Sequence, residues 1–136
     1  MERAIVTSRL ALRMPSEPAT EQDVALAQDL LDTLAAHANE CVGLAANMVG
    51  VRRRVIAISD NGNNQAMLNP AILEKTAPYQ TEEGCLSLPG RRGATRYQHI
   101  VVRWQDMNMN WRQKRFSGWT AQIIQHEIDH CDGILI

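Results

Sequence analysis

The chain has 136 residues, of which 45% are hydrophobic and 21% are charged, and its formal net charge is −1 at pH 7. A chain of this length buries roughly 68% of its unfolded surface around one core, so we expect a single domain spanning residues 1–136. The balanced charge excludes tight binding to duplex nucleic acid through bulk electrostatics, and we expect no specific nucleic-acid partner.

The N-terminus and the cysteines indicate where the protein works. No apolar run approaches the roughly 18 residues of a membrane helix, and Arg9 and Arg13 interrupt the apolar stretches at the N-terminus. We therefore expect no signal peptide, no membrane partner and a cytoplasmic location. The odd number of cysteines, Cys41, Cys85 and Cys131, argues against a disulfide framework and favours reduced thiols, one of them a candidate metal ligand.

An amphipathic helix is predicted near the N-terminus. Apolar residues recur there at steps of three and four, namely Val24, Ala27, Leu30 or Leu31, Leu34 and Ala38. Thr20 is a plausible N-cap, and Glu21 and Asp23 suit the positive end of the helix dipole. We expect this helix to run to about Asn39.

The middle of the chain predicts strands. Residues 41–50 are rich in glycine and small side chains and are interpreted as a loop or irregular strand. Arg54–Ser59 is β-branched and apolar, 60–64 has turn composition, and Ala66–Asn69 resumes an extended run.

Two further strands and a second helix complete the prediction. His99–Asp106 and Trp111–Ser117 are expected to form a half-exposed hairpin, with Trp104 and Trp111 packing across it. The last helix begins near Gly118 and stops at Asp132 and Gly133. Strands in the middle and a helix near each end indicate an α+β domain with the C-terminal helix packed against the sheet.

The last helix carries the pattern His126-Glu127-Ile-Asp-His130. Residues four apart lie on one face of a helix, so both imidazoles can converge on one metal with Glu127 beside them. The alternative is a polar helix face with incidental histidines, and a third ligand decides between the two.

Cys85 is the candidate third ligand. It lies in the segment Glu82–Pro89, which we interpret as an irregular stretch that presents the thiolate. A lone cysteine is more often a small buried hydrophobe. A Cys-His-His set would leave a tetrahedral metal one open position, as in a catalytic site.

Three segments together resemble the motifs of the peptide deformylase family. CVGLAANMVG, EEGCLSLPG and QHEIDHCDG stand in the order and approximate spacing of that family's three motifs. The match covers the chain from the first helix to its end. The resemblance implies an α+β fold in which small mixed or antiparallel sheets pack around the C-terminal HExxH helix.

The resemblance also implies the chemistry. Cys85, His126 and His130 would be the metal ligands, Glu127 the general acid and base, and the Leu86 backbone N–H an oxyanion donor. Deformylases remove the formyl group from N-formylmethionyl peptides and release formate, which is a step of N-terminal methionine processing. One divalent ion is implied: Fe²⁺ is the usual family metal, and a Cys-His-His site also accepts Zn²⁺, Ni²⁺ or Co²⁺.

The first motif departs from the family pattern Gly-x-Gly-x-Ala-Ala-x-Gln. Cys41 replaces the first glycine, and Met48 stands where the glutamine belongs. The glutamine amide donates to the formyl oxygen, whereas a thioether cannot donate, and loss of such a donor costs on the order of 10²–10³ in rate. Rescue by Asn47 is disfavoured, because in an extended segment its side chain would point to the opposite face.

The remaining candidates surround this site. We expect the methionine side chain of the substrate to lie near Gly43, Met48, Leu86 and Ile123. Glu83 is interpreted as an outer residue that supports the ligand loop and holds a basic residue such as Arg96. Cys41 and Cys131 are interpreted as structural.

Two basic clusters and the end of the chain bear on ribosome binding. The clusters 52–54 and 91–92 are candidates for weak contacts to ribosomal RNA, although solvated surface is the favoured interpretation, and Arg92 is alternatively near the substrate. Many deformylases continue into a C-terminal extension, whereas this sequence ends at Ile136, so a ribosome-docking extension is expected to be missing.

Two classes of function therefore remain open. The first is an active deformylase, slower than glutamine-bearing relatives. The second, motivated by Met48, is a deformylase-like paralogue that binds metal and formyl peptide with weak or no turnover. A zincin-type peptidase and a structural metal site are weaker alternatives, because neither requires the EGCLS segment together with Glu127.

Overall fold

The computed structural model describes residues 1–135, which form helices packed on an antiparallel sheet. The helices are α1 (Arg9–Leu12), α2 (Val24–Ala36) and α3 (Gly118–Cys131). The strands are β1 (Gly43–Ala45), β2 (Val55–Asp60), β3 (Asn63–Cys85), β4 (Leu88–Gln105) and β5 (Trp111–Ser117), and they lie in the sheet in chain order. The predicted α+β class is confirmed, and the expected small sheets are connected into one sheet of five strands.

The N-terminal helix begins as the sequence indicates. A short 3₁₀ turn, Glu21–Asp23, precedes α2. The Thr20 hydroxyl accepts a hydrogen bond from the Gln22 N–H, and the Asp23 carboxylate accepts one from the Thr20 N–H. The helix ends at Ala36, three residues before the expected Asn39. Its apolar stripe, including Leu30 and Leu34, is buried in the core.

Strand β2 and the start of β3 form a hairpin, in line with the strand, turn and extended run predicted over residues 54–69. Asn61 and Gly62 both have positive φ angles, of 52° and 92°, as a tight two-residue turn requires. Residues 55–58 are fully buried, so β2 lies in the core of the molecule between β1 and β3.

Strands β3 and β4 are much longer than expected. The prediction that a strand ends at Asn69 is wrong, as is the interpretation of Glu82–Pro89 as irregular: β3 continues to Cys85, and β4 begins at Leu88 after a tight turn. Residues 73–78 are all exposed, so neither face of this part of the strand is buried. The sequence therefore lacks the alternation of polar and apolar residues by which a half-buried strand is recognised. Register shifts near Pro70 accommodate that residue in the strand.

The expected packing of Trp104 on Trp111 is also wrong. Trp104 is paired with Arg112 in the sheet, whereas Trp111 is paired with Gln105, so the two indoles lie on opposite faces. Trp104 instead packs on Phe116 in the core, with 5.8 Å between ring centroids. Trp111 is exposed, and the Arg103 guanidinium lies 3.9 Å from its ring centroid.

Helix α3 packs against the sheet and contacts β1, β2, β4 and β5. Ten of its fourteen residues are buried, including both histidines and the glutamate of the HExxH pattern. Polar groups on this helix therefore lie in a low-dielectric environment and must find partners within the protein. None of the described helices combines the length and the apolarity that crossing a membrane demands.

Candidate metal centre

Three ligand atoms converge where the end of β3 meets α3. The Cys85 Sγ atom lies 3.3 Å from His130 Nε2, and the His126 and His130 Nε2 atoms lie 3.1 Å apart. All three atoms are within 4.8 Å of one another. The structure thus brings Cys85 of β3 together with His126 and His130, the histidine pair of the distant helix α3.

This donor set fits a divalent metal ion. Ligand atoms about 2.0–2.3 Å from a tetrahedral metal lie roughly 3.3–3.6 Å from one another. The distances from His130 Nε2 to Cys85 Sγ and to His126 Nε2, 3.3 and 3.1 Å, are close to these values. Two imidazole Nε2 atoms that face each other in a buried site also need a cation or a proton between them. Three protein ligands would leave a fourth position for water or substrate, as in catalytic rather than structural sites.

Glu83 fixes the orientation of one ligand. Its Oε1 atom lies 2.9 Å from His126 Nδ1, and because a carboxylate only accepts, Nδ1 is the donor and Nε2 is left to face the metal position. Burial alone would raise the pKa of Glu83, but hydrogen bonds from His126, Arg96 and Gln122 outweigh it and lower the pKa to about 2. The carboxylate is therefore charged at neutral pH.

The buried Arg96 side chain links β3 and β4 to α3 through hydrogen bonds. Arg96 on β4 donates to both Glu83 oxygens, at 2.7 to 3.1 Å, which is the contact that we expected from the sequence. Its remaining nitrogen donates to Asp129 of α3 at 2.7 Å. Asp129 was missed in the sequence, although its place three residues after His126 puts it on the same side of the helix.

Glu127 lies beside the metal position with one oxygen free. The residue is 4% exposed, and its Oε1 atom has no hydrogen-bond partner in the described structure. Burial is the main reason why the pKa of Glu127 is raised to about 7. A carboxyl group with that pKa can both take and return a proton near neutral pH.

A cleft of about 810 Å³ is lined by Cys85, His126 and Glu127. Gly43, Met48, Leu86 and Ile123, the four residues that we expected around the substrate, all line it. Sequence reasoning missed Trp119, an exposed residue on the first turn of α3 that also lines the cleft. Its position seven residues before His126, on the same face of the helix, is the signal that could have identified it. The cleft is large enough for a short peptide rather than a formyl group alone.

Met48 lies within the motif that departs from the family pattern. It is 1% exposed, in a 3₁₀ turn spanning Ala46–Val49, and its sulfur accepts a hydrogen bond from the Ala45 N–H at 3.4 Å. The expectation that Asn47 lies in an extended segment is wrong. The Asn47 Nδ2 atom donates to the His130 backbone carbonyl at 2.8 Å, so the Asn47 amide is bound to α3 and is not free to donate to a substrate.

The two remaining cysteines differ in position. Cys131 is 1% exposed, and burial raises the pKa of its thiol to about 12. Cys41 is half-buried and lines the cleft, which a purely structural interpretation does not anticipate. Burial and the nearby Glu127 raise the pKa of Cys41 to about 11.

Comparisons with known proteins agree with this geometry. The family model described as "Polypeptide deformylase" matches residues 3–136. A peptide deformylase of Clostridium beijerinckii is 48% identical over 136 residues, which is the whole length of both chains. A peptide deformylase of Clostridium perfringens is 38% identical over 113 residues, covering 81% of this chain and 76% of the relative.

Solved structures show the same fold. The crystal structure of peptide deformylase from Thermotoga maritima matches with a TM-score of 0.89 at 30% identity, covering 99% of this chain and 95% of that one. The Met-Ala-Ser-bound class I type b peptide deformylase from Acinetobacter baumannii matches with a TM-score of 0.88 at 28% identity, covering 99% and 97%. The family model spans nearly the whole chain and a relative of equal length shares almost half of its residues, so this chain belongs to the peptide deformylase family.

Proposed function

We propose that this chain is a metal-dependent hydrolase that removes the formyl group from N-formylmethionyl peptides and releases formate. Family membership supports the activity, since the chain is an enzyme of a deformylase family. The single observation that carries the proposal is the convergence of Cys85, His126 and His130 beside the buried Glu127. The matched relatives favour this activity over a paralogue that binds formyl peptide without turnover.

The proposed ligands are Cys85, His126 and His130. When bound, the metal supplies Lewis-acid chemistry and activates the attacking water. Fe²⁺ is the proposed ion on the family resemblance, and the same donors suit Zn²⁺, Ni²⁺ or Co²⁺. Glu83 and Arg96 hold His126 in the orientation that leaves Nε2 available.

Glu127 is the proposed general acid and base. Its carboxylate takes the proton of the attacking water as the oxygen bonds to the formyl carbon. As the carbon–nitrogen bond breaks, Glu127 returns that proton to the leaving amine, so one water is consumed and formate and a free N-terminus are produced. The Leu86 backbone N–H is the proposed donor to the developing oxyanion.

The cleft is the proposed site for formyl-methionine. Gly43, Met48 and Ile123 lie on its wall and offer an apolar surface with room for an unbranched side chain. The Met-Ala-Ser peptide in the related Acinetobacter baumannii structure supports a short peptide as ligand.

The proposed substrates are nascent chains in the cytoplasm. Arg52 and Arg91 are both exposed and are the proposed points of weak contact with ribosomal RNA. Such contact would be weak, because Arg53 and Arg54 already pair with Glu17 and Asp132.

The test is formate release from formyl-Met-Ala-Ser by protein that is loaded with Fe²⁺ and handled without oxygen. We expect turnover of the formyl peptide, and none of acetyl-Met-Ala-Ser or of internal peptide bonds. Cleavage of internal bonds would support a peptidase instead, and absence of formate would refute the proposal.

A further inference from the structure

A chain of hydrogen bonds reaches the metal centre from the side of the cleft. The Tyr79 hydroxyl donates to Gln122 Oε1 at 3.2 Å, and Gln122 Nε2 donates to Glu83 Oε2 at 2.9 Å. Glu83 in turn accepts from His126. Gln122 is therefore one hydrogen-bond partner further from the metal position than Glu83.

The local structures place these side chains together. Tyr79 and Glu83 are four residues apart on β3, so their side chains lie on the same face of the strand. Gln122 and His126 are four residues apart on α3, so they lie on the same face of the helix. The two faces meet, and each Gln122 amide atom finds one partner on β3.

The two oxygens of Glu83 have different partners. Oε1 accepts from His126 and from Arg96 Nη2, whereas Oε2 accepts from Gln122 and from Arg96 Nε, which it shares with Oε1. Without the Gln122 amide, Oε2 would keep only this shared hydrogen bond and would face the cleft. Arg96 and His126 alone would then hold the carboxylate, and the position of the Oε1 atom that orients His126 would be less tightly fixed.

We propose that Gln122, itself held by Tyr79, is a positioning residue that fixes the Glu83 carboxylate and through it the imidazole of His126. Gln122 touches neither the ligand atoms nor the reacting atoms. The inference depends on the metal site of the proposed function but not on the reaction. Partners that orient metal ligands typically contribute 10- to 100-fold to metal affinity.

The test compares the rates at which three variants and the parent release a bound metal ion. Gln122→Met keeps the length of the side chain and removes the amide that donates to Glu83. Tyr79→Phe keeps the ring and removes the hydroxyl group that orients this amide. Gln80→Met is the matched control, because Gln80 is exposed and its amide pairs with Thr95 on the neighbouring strand β4. Each protein is loaded with Zn²⁺, and the rate at which a chelator removes the ion is measured.

We expect Gln122→Met to release Zn²⁺ about tenfold faster than the parent. This is the lower end of the 10- to 100-fold range for residues that orient metal ligands, because Gln122 acts on His126 only through Glu83. Tyr79→Phe should release it a few-fold faster, and Gln80→Met at the parental rate. The visible absorption of Co²⁺-loaded protein should change in the first two variants only, since it reports ligand orientation rather than general stability.

Release rates and Co²⁺ absorption of both Gln122→Met and Tyr79→Phe that equal those of the parent would overturn the inference. If Gln122→Met does not fold, Tyr79→Phe alone decides the question by the same two measurements. A parent that retains metal but releases no formate refutes the proposed function and leaves this inference standing.

Discussion

Gly43 lies directly against the carboxylate of Glu127. A Cβ atom at position 43 would lie 2.7 Å from Glu127 Oε2 and 2.9 Å from Ile123 Cγ2, closer than side-chain atoms approach one another. The absence of a side chain at Gly43 is therefore what allows the buried carboxylate to lie next to the cleft. This contact links the first sequence motif to the third.

Gly43→Ala should reduce activity much more than stability. The added methyl displaces the Glu127 carboxylate, and a shift of about 1 Å in a catalytic group costs on the order of 10²-fold in rate. Overpacking costs about 1–3 kcal/mol of unfolding free energy. Formate release and thermal unfolding measure the two effects. The control is Gly93→Ala, because a Cβ at Gly93 meets nothing within 4 Å; equal effects of the two substitutions would contradict this explanation.

Met48→Gln should raise kcat with little change in KM. A glutamine has nearly the length of methionine, so its Oε1 atom can accept the Ala45 N–H that now bonds to sulfur, which turns its NH₂ group toward the cleft. A restored oxyanion donor is worth on the order of 10²–10³ in rate. Met48→Leu is the control, because leucine also lacks a donor. Steady-state kinetics in which both variants match the parent would show that the oxyanion is stabilised without this position.

Glu83 should contribute to stability in a pH-dependent way. Its pKa is lowered to about 2 in the folded protein from an ordinary value of 4.5, so its contribution is full above about pH 4.5 and is lost as the pH falls toward 2. In metal-free protein, Glu83→Gln should cost about 3 kcal/mol at pH 6, since one pKa unit corresponds to about 1.4 kcal/mol. Urea unfolding from pH 6 to pH 3 measures this cost. It should shrink steadily on acidification, and a cost independent of pH would contradict the assignment.

Cys41 and Cys131 should react slowly with alkylating agents. Their pKa values of about 11 and about 12 leave little thiolate near neutral pH, whereas an ordinary thiol has a pKa of about 8.5. We expect iodoacetamide at pH 7.5 to modify both more than about 100-fold slower than a free thiol. Peptide mapping by mass spectrometry gives the rate at each cysteine. Rapid modification of Cys41, which lines the cleft, would show that its thiol is activated.

The sequence predicted which residues meet at the candidate metal centre better than it predicted the sheet. A histidine pair four residues apart on a helix has a fixed geometry, so His126 and His130 were certain to share a face once α3 formed. The third ligand, Cys85, came from a motif rather than from any local rule. Its place at the end of a strand was missed because the outer part of β3 is exposed on both faces and carries prolines, and no alternation of apolar residues marks it.

Long-range partners explain most of what the sequence left open. Asn47 was expected to point away from the site, but the 3₁₀ turn directs its amide to the His130 carbonyl, 83 residues further along the chain. The roles of Gln122 and Asp129 depend on their hydrogen bonds to Glu83 and Arg96, which form only when α3 packs against the strands. Such contacts depend on how the elements pack, which periodicity and spacing do not specify.

The most direct measurement pairs metal content with formate release in the parent and in Glu127→Gln, both loaded with Fe²⁺ without oxygen. We expect one ion in each protein, steady release of formate from formyl-Met-Ala-Ser by the parent, and a rate about 10²–10⁴-fold lower for Glu127→Gln. A metal-loaded parent that releases no formate, or a Glu127→Gln variant as active as the parent, would contradict deformylation by this centre.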